Sequence, residues 1–164
     1  MGPPTSRTCV PALVGKPWAC DGPRKGLVPP RRSRAVGDCR AQSVRTLVDT
    51  SVMVDVLRGN QAAMAFLAGC DEVCASEISR VEVLTGMRAP EQSATQRLLG
   101  LFAWQPLDAE IATMAGHLGR MYRHSHRLDA ADLVIAATAL RLDAQLATRN
   151  VKHFPMWADL AAPY

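Results

Sequence analysis

Arg45-Thr46-Leu47-Val48-Asp49-Thr50-Ser51-Val52-Met53-Val54-Asp55-Val56-Leu57 is the stretch that decides the fold. With Val44 before it, the run to Val48 is short, apolar and rich in β-branched residues, which predicts a strand ending at Asp49. Thr50 and Ser51 supply the hydroxyls that favour helix starts, and Val52 to Leu57 continue as an apolar helix. A strand feeding directly into a helix is the first half of a parallel α/β unit.

The same alternation runs on downstream. Arg58-Gly59-Asn60 closes the first helix, and Asn60 caps a second from Gln61 to Ala68. Glu72 to Ala75 predicts a strand. Ser76 then caps a helix expected to carry Ile78, Val81 and Leu84-Thr85 on one apolar face, with Glu82 near that side. A helix from Glu91 to Leu101 leads into a strand and turn over Phe102 to Leu107, and Asp108 caps a helix bearing Ile111, Met114, Ala115 and Leu118. Asp132 to Leu142 is apolar on most of its circumference, and Ala144 to Thr148 predicts a central strand. Strands alternating with helices imply a parallel sheet covered on both faces, whose ligand site lies at the carboxyl ends of the strands. Asp49 and Asn150 follow strand ends, and Glu82 and Asp132 stand near helix starts, so all four can converge there.

The first 43 residues are different in kind. Pro3-Pro4, Pro29-Pro30 and Arg31-Arg32-Ser33-Arg34 mark a basic, Pro/Gly-rich segment without helical or strand periodicity. It reads as an unstructured tail or as sequence upstream of a start near Val44; the rival reading is a basic arm that holds RNA. Residues 44–164 then form the one folded domain. The formal charge of +4 is divided unevenly: residues 1–46 hold nine Lys or Arg against two acids, net +7, and residues 47–164 hold ten against thirteen, net −3. A folded part that is mildly acidic is unsuited to gripping nucleic acid by phosphate neutralisation alone.

The five cysteines, Cys9, Cys20, Cys39, Cys70 and Cys74, form no CxxC pair and have no histidine at zinc-finger spacing, which argues against structural zinc and a disulfide framework. Cys70 and Cys74 read as small buried side chains, and the chain as cytoplasmic. There is no apolar run of about 18 residues for a membrane helix and no signal-peptide order at the N-terminus.

Asp49, Glu82 and Asp132 each sit in apolar sequence, where an ionised carboxylate is costly unless paired or bound to a cation. Individually each has a plain structural reading: Asp49 as a helix cap, Asp132 as an acid complementing a helix dipole. Together, hard carboxylate oxygens suit Mg²⁺, with Mn²⁺ as the alternative, and metal-assisted phosphodiester hydrolysis.

The order and neighbours of these acids carry a resemblance. Asp49-Thr50-Ser51 after the first strand, Glu82 with Gly86 four residues on, Asp132-x-x-Ile135-Ala136-Ala137, and Thr148-Arg149-Asn150 resemble the motifs of a PIN domain, specifically of a VapC-type toxin ribonuclease of a toxin–antitoxin pair. The resemblance covers the chain from Val44 onward. It implies a three-layer α/β/α sandwich with a mostly parallel sheet of four to five strands, Mg²⁺-dependent endonucleolytic cleavage of RNA, a homodimer, and a VapB-like antitoxin that blocks the site. Asp49, Glu82 and Asp132 would be the catalytic metal ligands, and Thr50 or Ser51 would orient the first carboxylate or a metal-bound water.

Where many members carry a fourth acid this chain has Asn150, and His153 stands where another acid is often found. Asn150 can still bind a metal water but brings no charge. Asp129, one helical turn before Asp132, is a second candidate for that corner, with helix capping as its plainer role. Arg149 and Arg58 are candidate RNA phosphate contacts. His117, His124, His126 and His153 read as surface histidines.

Two other phosphoryl-transfer folds begin with a strand ending in Asp. A haloacid-dehalogenase-like enzyme needs a second Asp two residues on, where this chain has Ser51. A response-regulator receiver needs an acidic pair before its phosphorylated Asp, and here the preceding residue is Val48. From a different class, a catalytically weak PIN-like module that binds antitoxin or RNA without cleaving is favoured by Asn150 and disfavoured by the three retained acids.

Overall fold

The computed structural model describes residues 44–122 and 128–164. The basic segment 1–43 and the pair His124 and His126 therefore lie outside the described residues. Four strands, β1 (Arg45–Val48), β2 (Glu72–Ser76), β3 (Ala103–Gln105) and β4 (Gln145–Ala147), form one sheet in the order β3-β2-β1-β4. Every pairing is parallel. This follows from the connections: each strand returns through helices, namely α1 (Thr50–Leu57), α2 (Gln61–Ala68), α3 (Glu77–Gly86), α4 (Gln92–Leu99), α5 (Ala109–Tyr122) and α6 (Ala130–Leu142).

Alternation along the strands divides the core into two layers. Leu47, Cys74 and Leu146 face α5 and α6, packing with Ile111, Ala115, Leu118, Ile135 and the fully buried Phe154. Val48 and Ala75 face the other way, onto Val52, Met53, Val83, Leu98 and Phe102. The α/β/α sandwich with four parallel strands matches the expectation.

Local chemistry sets the element ends. The Asn60 side chain accepts from the N–H groups of Ala62 and Ala63, and Gly59 takes φ +79, the left-handed turn that separates α1 from α2. Asp108 caps α5 by accepting from the Ile111 N–H at 2.9 Å. Ser76 stands at the N-cap of α3 but makes no capping bond; its hydroxyl faces that of Thr138.

The expected apolar face of α3 is corrected by the packing. Ser79 and Val83, one turn apart, are the buried residues, and Ile78 is partly buried. Val81 is 57% exposed and Leu84 44% exposed. Position 81 lies about 200° around the helix from 79, so seating Ser79 and Val83 on the core necessarily turns Val81 outward.

Cys70 and Cys74 are both free. Burial pushes the Cys74 thiol up to about 11, so it stays protonated and donates weakly to the Thr46 carbonyl. No helix among the described residues is long and apolar enough to cross a membrane.

Candidate active site

The side on which strands are added changes at β1: the path leads to β2 and β3 on one side, and β4 is added on the other. The carboxyl ends of β1 and β4 therefore bound a topological switch point, where parallel α/β sheets place ligands. Asp49 follows β1 there, its N–H bound to the Ala147 carbonyl at 2.9 Å, and Thr148 follows β4 beside it.

Asp49 is 4% exposed and sits at the N-cap of α1, yet its side chain makes no capping bond. Its Oδ2 instead accepts from Ser51 Oγ at 2.6 Å and Thr148 Oγ1 at 2.7 Å. Both hydroxyls are themselves aimed by the main chain. Ser51 Oγ accepts the Arg149 N–H at 3.0 Å, and Thr148 Oγ1 accepts the Asn150 N–H at 2.9 Å. With their acceptor sides occupied, both hydroxyl protons point at the carboxylate.

Glu82, on α3, accepts from Thr50 Oγ1 through Oε2 at 2.6 Å. Asp132 is the third residue of α6 and forms a reciprocal capping box with Asp129: the Asp129 carboxylate accepts from the first turn, and Asp132 Oδ2 lies 3.4 Å from the Asp129 N–H. The same Oδ2 lies 3.1 Å from His153 Nδ1.

The three acids feel one another. Glu82 is exposed as a residue, yet partial desolvation of its carboxyl lifts it above its ordinary value; the Thr50 hydrogen bond opposes the lift, and the charges of Asp49, Asp132 and Asp129 add to it. Burial likewise raises Asp132, against the opposing pull of His153, with Asp49 adding repulsion. Such a cluster of mutually repelling carboxylates is the electrostatic complement of a cation.

The donor set fits a divalent ion. In each acid one oxygen is held by hydroxyl, imidazole or main chain, while Asp49 Oδ1, Glu82 Oε1 and Asp132 Oδ1 accept no hydrogen bond from the described residues. Among the described residues no three His, Cys, Asp or Glu side chains form a closed metal site. The fit to a cation rests on the uncommitted oxygens and on the mutual repulsion of the three acids.

The remaining sequence candidates make other contacts. Asp129 is engaged as a cap. Asn150 contributes its main-chain N–H, while its side chain makes no capping bond. The Arg149 guanidinium turns to the Tyr164 carbonyl at 2.8 Å and stacks over the Tyr164 ring, with Asp55 3.9 Å from its Nε. Arg58 is exposed at the far end of α1, about 13.5 Å along the axis from Asp49. Gly86 ends α3 with open space where a Cβ would stand, so no contact there requires glycine.

Two residues were undervalued by sequence reasoning. Thr148 was legible as motif but not as a donor to Asp49; a hydroxyl closing an apolar central strand was the available signal. His153, read as a surface residue, is half-buried and paired with Asp132.

Comparison with known proteins agrees with the fold. Residues 46–155 match the model of the PIN domain. The chain is 45% identical over 123 residues to Ribonuclease VapC19 of Mycobacterium tuberculosis, covering 72% of this chain and 98% of that protein. It is 43% identical over 122 residues to Ribonuclease VapC10 of the same organism, covering 72% and 92%. Among solved structures, a toxin–antitoxin complex from Klebsiella pneumoniae superposes with TM-score 0.63 at 28% identity, covering 73% of this chain and 98% of that one. The fold, the switch-point acids and these matches together establish that the chain belongs to the PIN-domain family and, within it, to the VapC-type ribonucleases.

Proposed function

We propose that this protein is a metal-dependent endoribonuclease that hydrolyses RNA phosphodiester bonds and acts as the toxin of a toxin–antitoxin pair. The observation that carries the reading is the set of three neighbouring carboxylates, each with one oxygen fixed by the protein and one uncommitted. Asp49, Glu82 and Asp132 would hold Mg²⁺ or Mn²⁺. When bound, the ion polarises a phosphoryl oxygen and lowers the pKa of water, supplying hydroxide near neutral pH.

The chain's own residues do the arranging. Ser51 and Thr148 hold Asp49 in one rotamer, and Thr50 ties Glu82 to the start of α1. Arg149 and Arg58 remain the proposed phosphate contacts, and Arg149 would have to release Tyr164 to make one. With residues 44–164 carrying a net charge of −2, eleven basic against thirteen acidic side chains, binding of RNA should depend on the ion more than on a basic surface.

A VapB-like antitoxin and a homodimer belong to the same reading. The antitoxin is supported by the neighbouring structure, itself a toxin–antitoxin complex, and the outward-facing Val81 and Leu84 offer apolar surface for a partner.

The test is induction of the full chain in a host without antitoxin, beside Asp49→Asn. Growth arrest and Mg²⁺-dependent RNA cleavage by the wild type alone are expected. If both forms are equally harmless and neither cuts RNA, the non-cleaving binding module replaces this reading.

A further inference from the structure

We propose that His153 is a positioning residue for Asp132: its Nδ1–H donates to Oδ2, locking the carboxylate so that Oδ1 faces the cation. The proposal rests on the metal-dependent reading above.

Three observations support it. His153 stands on a firm platform. The 3₁₀ turn Val151–His153 is closed by the His153 N–H on the Asn150 carbonyl at 2.8 Å and the Phe154 N–H on the Val151 carbonyl at 3.0 Å. The next residue, Phe154, is fully buried in the α5/α6 core and packs edge-on against Trp157. A backbone pinned on both sides can hold an imidazole within hydrogen-bonding range of one oxygen.

Next, the contacts to Asp132 are unequal. The capping contact from the Asp129 N–H is long at 3.4 Å, so the 3.1 Å contact with His153 is the shorter restraint on Oδ2. A carboxylate that must present its other oxygen benefits from such a partner, as ligands of metal sites commonly do.

Finally, the residue type suits the contact. A lysine or arginine here would bring a fixed positive charge on a long, flexible stem, whereas an imidazole presents a single N–H to Oδ2 from a short, rigid ring.

The experiment measures Mn²⁺ binding by the full-length chain, using electron paramagnetic resonance with Mn²⁺ alone, for wild type, His153→Ala, His153→Asn and Asp49→Asn. Removing a residue that orients a metal ligand should weaken Mn²⁺ binding about tenfold in His153→Ala, and the amide N–H of His153→Asn should restore most of it. The thermal midpoints should be unchanged, because Phe154 anchors the turn. Binding by His153→Ala equal to wild type, or by His153→Asn no better than His153→Ala, overturns the proposal while leaving the metal reading intact. Wild-type binding no tighter than Asp49→Asn overturns both. Independently of any variant, imidazole ¹⁵N shifts of the metal-free chain at pH 8 should report the Nδ1–H tautomer; an Nε2–H tautomer overturns the proposal.

Discussion

Two aspartates, Asp49 at the N-cap of α1 and Asp55 within it, meet opposite fates. Asp55, within α1, is answered by the chain itself: the Tyr164 hydroxyl donates to it at 3.1 Å, and Arg149 lies 3.9 Å away. Asp49, at the start of α1, is far more buried yet receives only neutral hydroxyls, and its neighbours across the cleft are other acids. The first arrangement balances charge and ties the C-terminal Tyr164 to α1, with its ring against Phe66. The second accumulates charge that only an external cation can balance. The contrast separates a carboxylate kept for structure from one kept for chemistry.

The strongest way to break the contrast is Asp49→Asn. The amide oxygen can still accept from Ser51 and Thr148, so the fold should melt at or above the wild-type temperature, while Mg²⁺-dependent RNA cleavage should fall on the order of 100-fold or more. A large drop in melting temperature with activity retained would mean that Asp49 is structural after all.

The opposite region should respond in the opposite way. Tyr164→Ala removes the ring packing on Phe66 and the bond to Asp55, and is expected to lower stability by about 2 kcal/mol. Tyr164→Phe should cost about 1.5 kcal/mol, since only the hydrogen bond to a charged acceptor is lost. Urea unfolding measures both, and cleavage per folded molecule should be preserved if the two regions are as distinct as they look. The hydroxyl of Tyr164 is pushed up to about 12, chiefly by burial and by its bond to Asp55, so this contact persists through the neutral range.

Proton linkage sharpens the comparison. The Glu82 carboxyl is raised above its ordinary value of 4.5 in the folded protein, so the native state binds that proton more tightly than the unfolded chain does. Its ionised form therefore destabilises the metal-free fold at neutral pH. This penalty is released as pH falls through the raised value and is gone below the ordinary one. Glu82→Gln should accordingly stabilise the metal-free protein at pH 7, with the gain vanishing at acid pH in paired thermal melts. Saturating Mg²⁺ at pH 7 should raise the wild-type melting temperature more than that of Glu82→Gln, because a cation offsets the same repulsion. A pH-independent gain would show that ionisation of Glu82 carries no penalty in the metal-free fold.

The smallest effect separates Asp129 from the acids it resembles. Asp129→Asn preserves a good cap and should leave both stability and cleavage within about twofold, whereas Asp129→Ala should cost about 1 kcal/mol of stability with the site intact. Loss of cleavage in Asp129→Asn at full stability would return this residue to the fourth corner.

Much of this was legible from local pattern. The strand–helix alternation, the Asn60 and Asp108 caps and the apolar α6 all depend on neighbours within a few positions, and all appear as expected. The three acids were found because each interrupts an apolar run. Reading α3 by apolar spacing failed because Ser79 packs inward and displaces Val81, a choice made by the shape of the core rather than by hydropathy.

What the sequence determined by itself was therefore the set of elements, the parallel sheet they must build and the acids at its carboxyl edge, since periodicity, caps and turns act over a few residues. Only the tertiary structure decided which oxygen each partner occupies. Thr148 reaches Asp49 across 99 positions, His153 reaches Asp132 across 21, and Tyr164 reaches Asp55 across 109. Such contacts depend on where strands and turns land in space, so hydroxyl, imidazole and guanidinium partners are assigned by the folded geometry and not by neighbours in the chain.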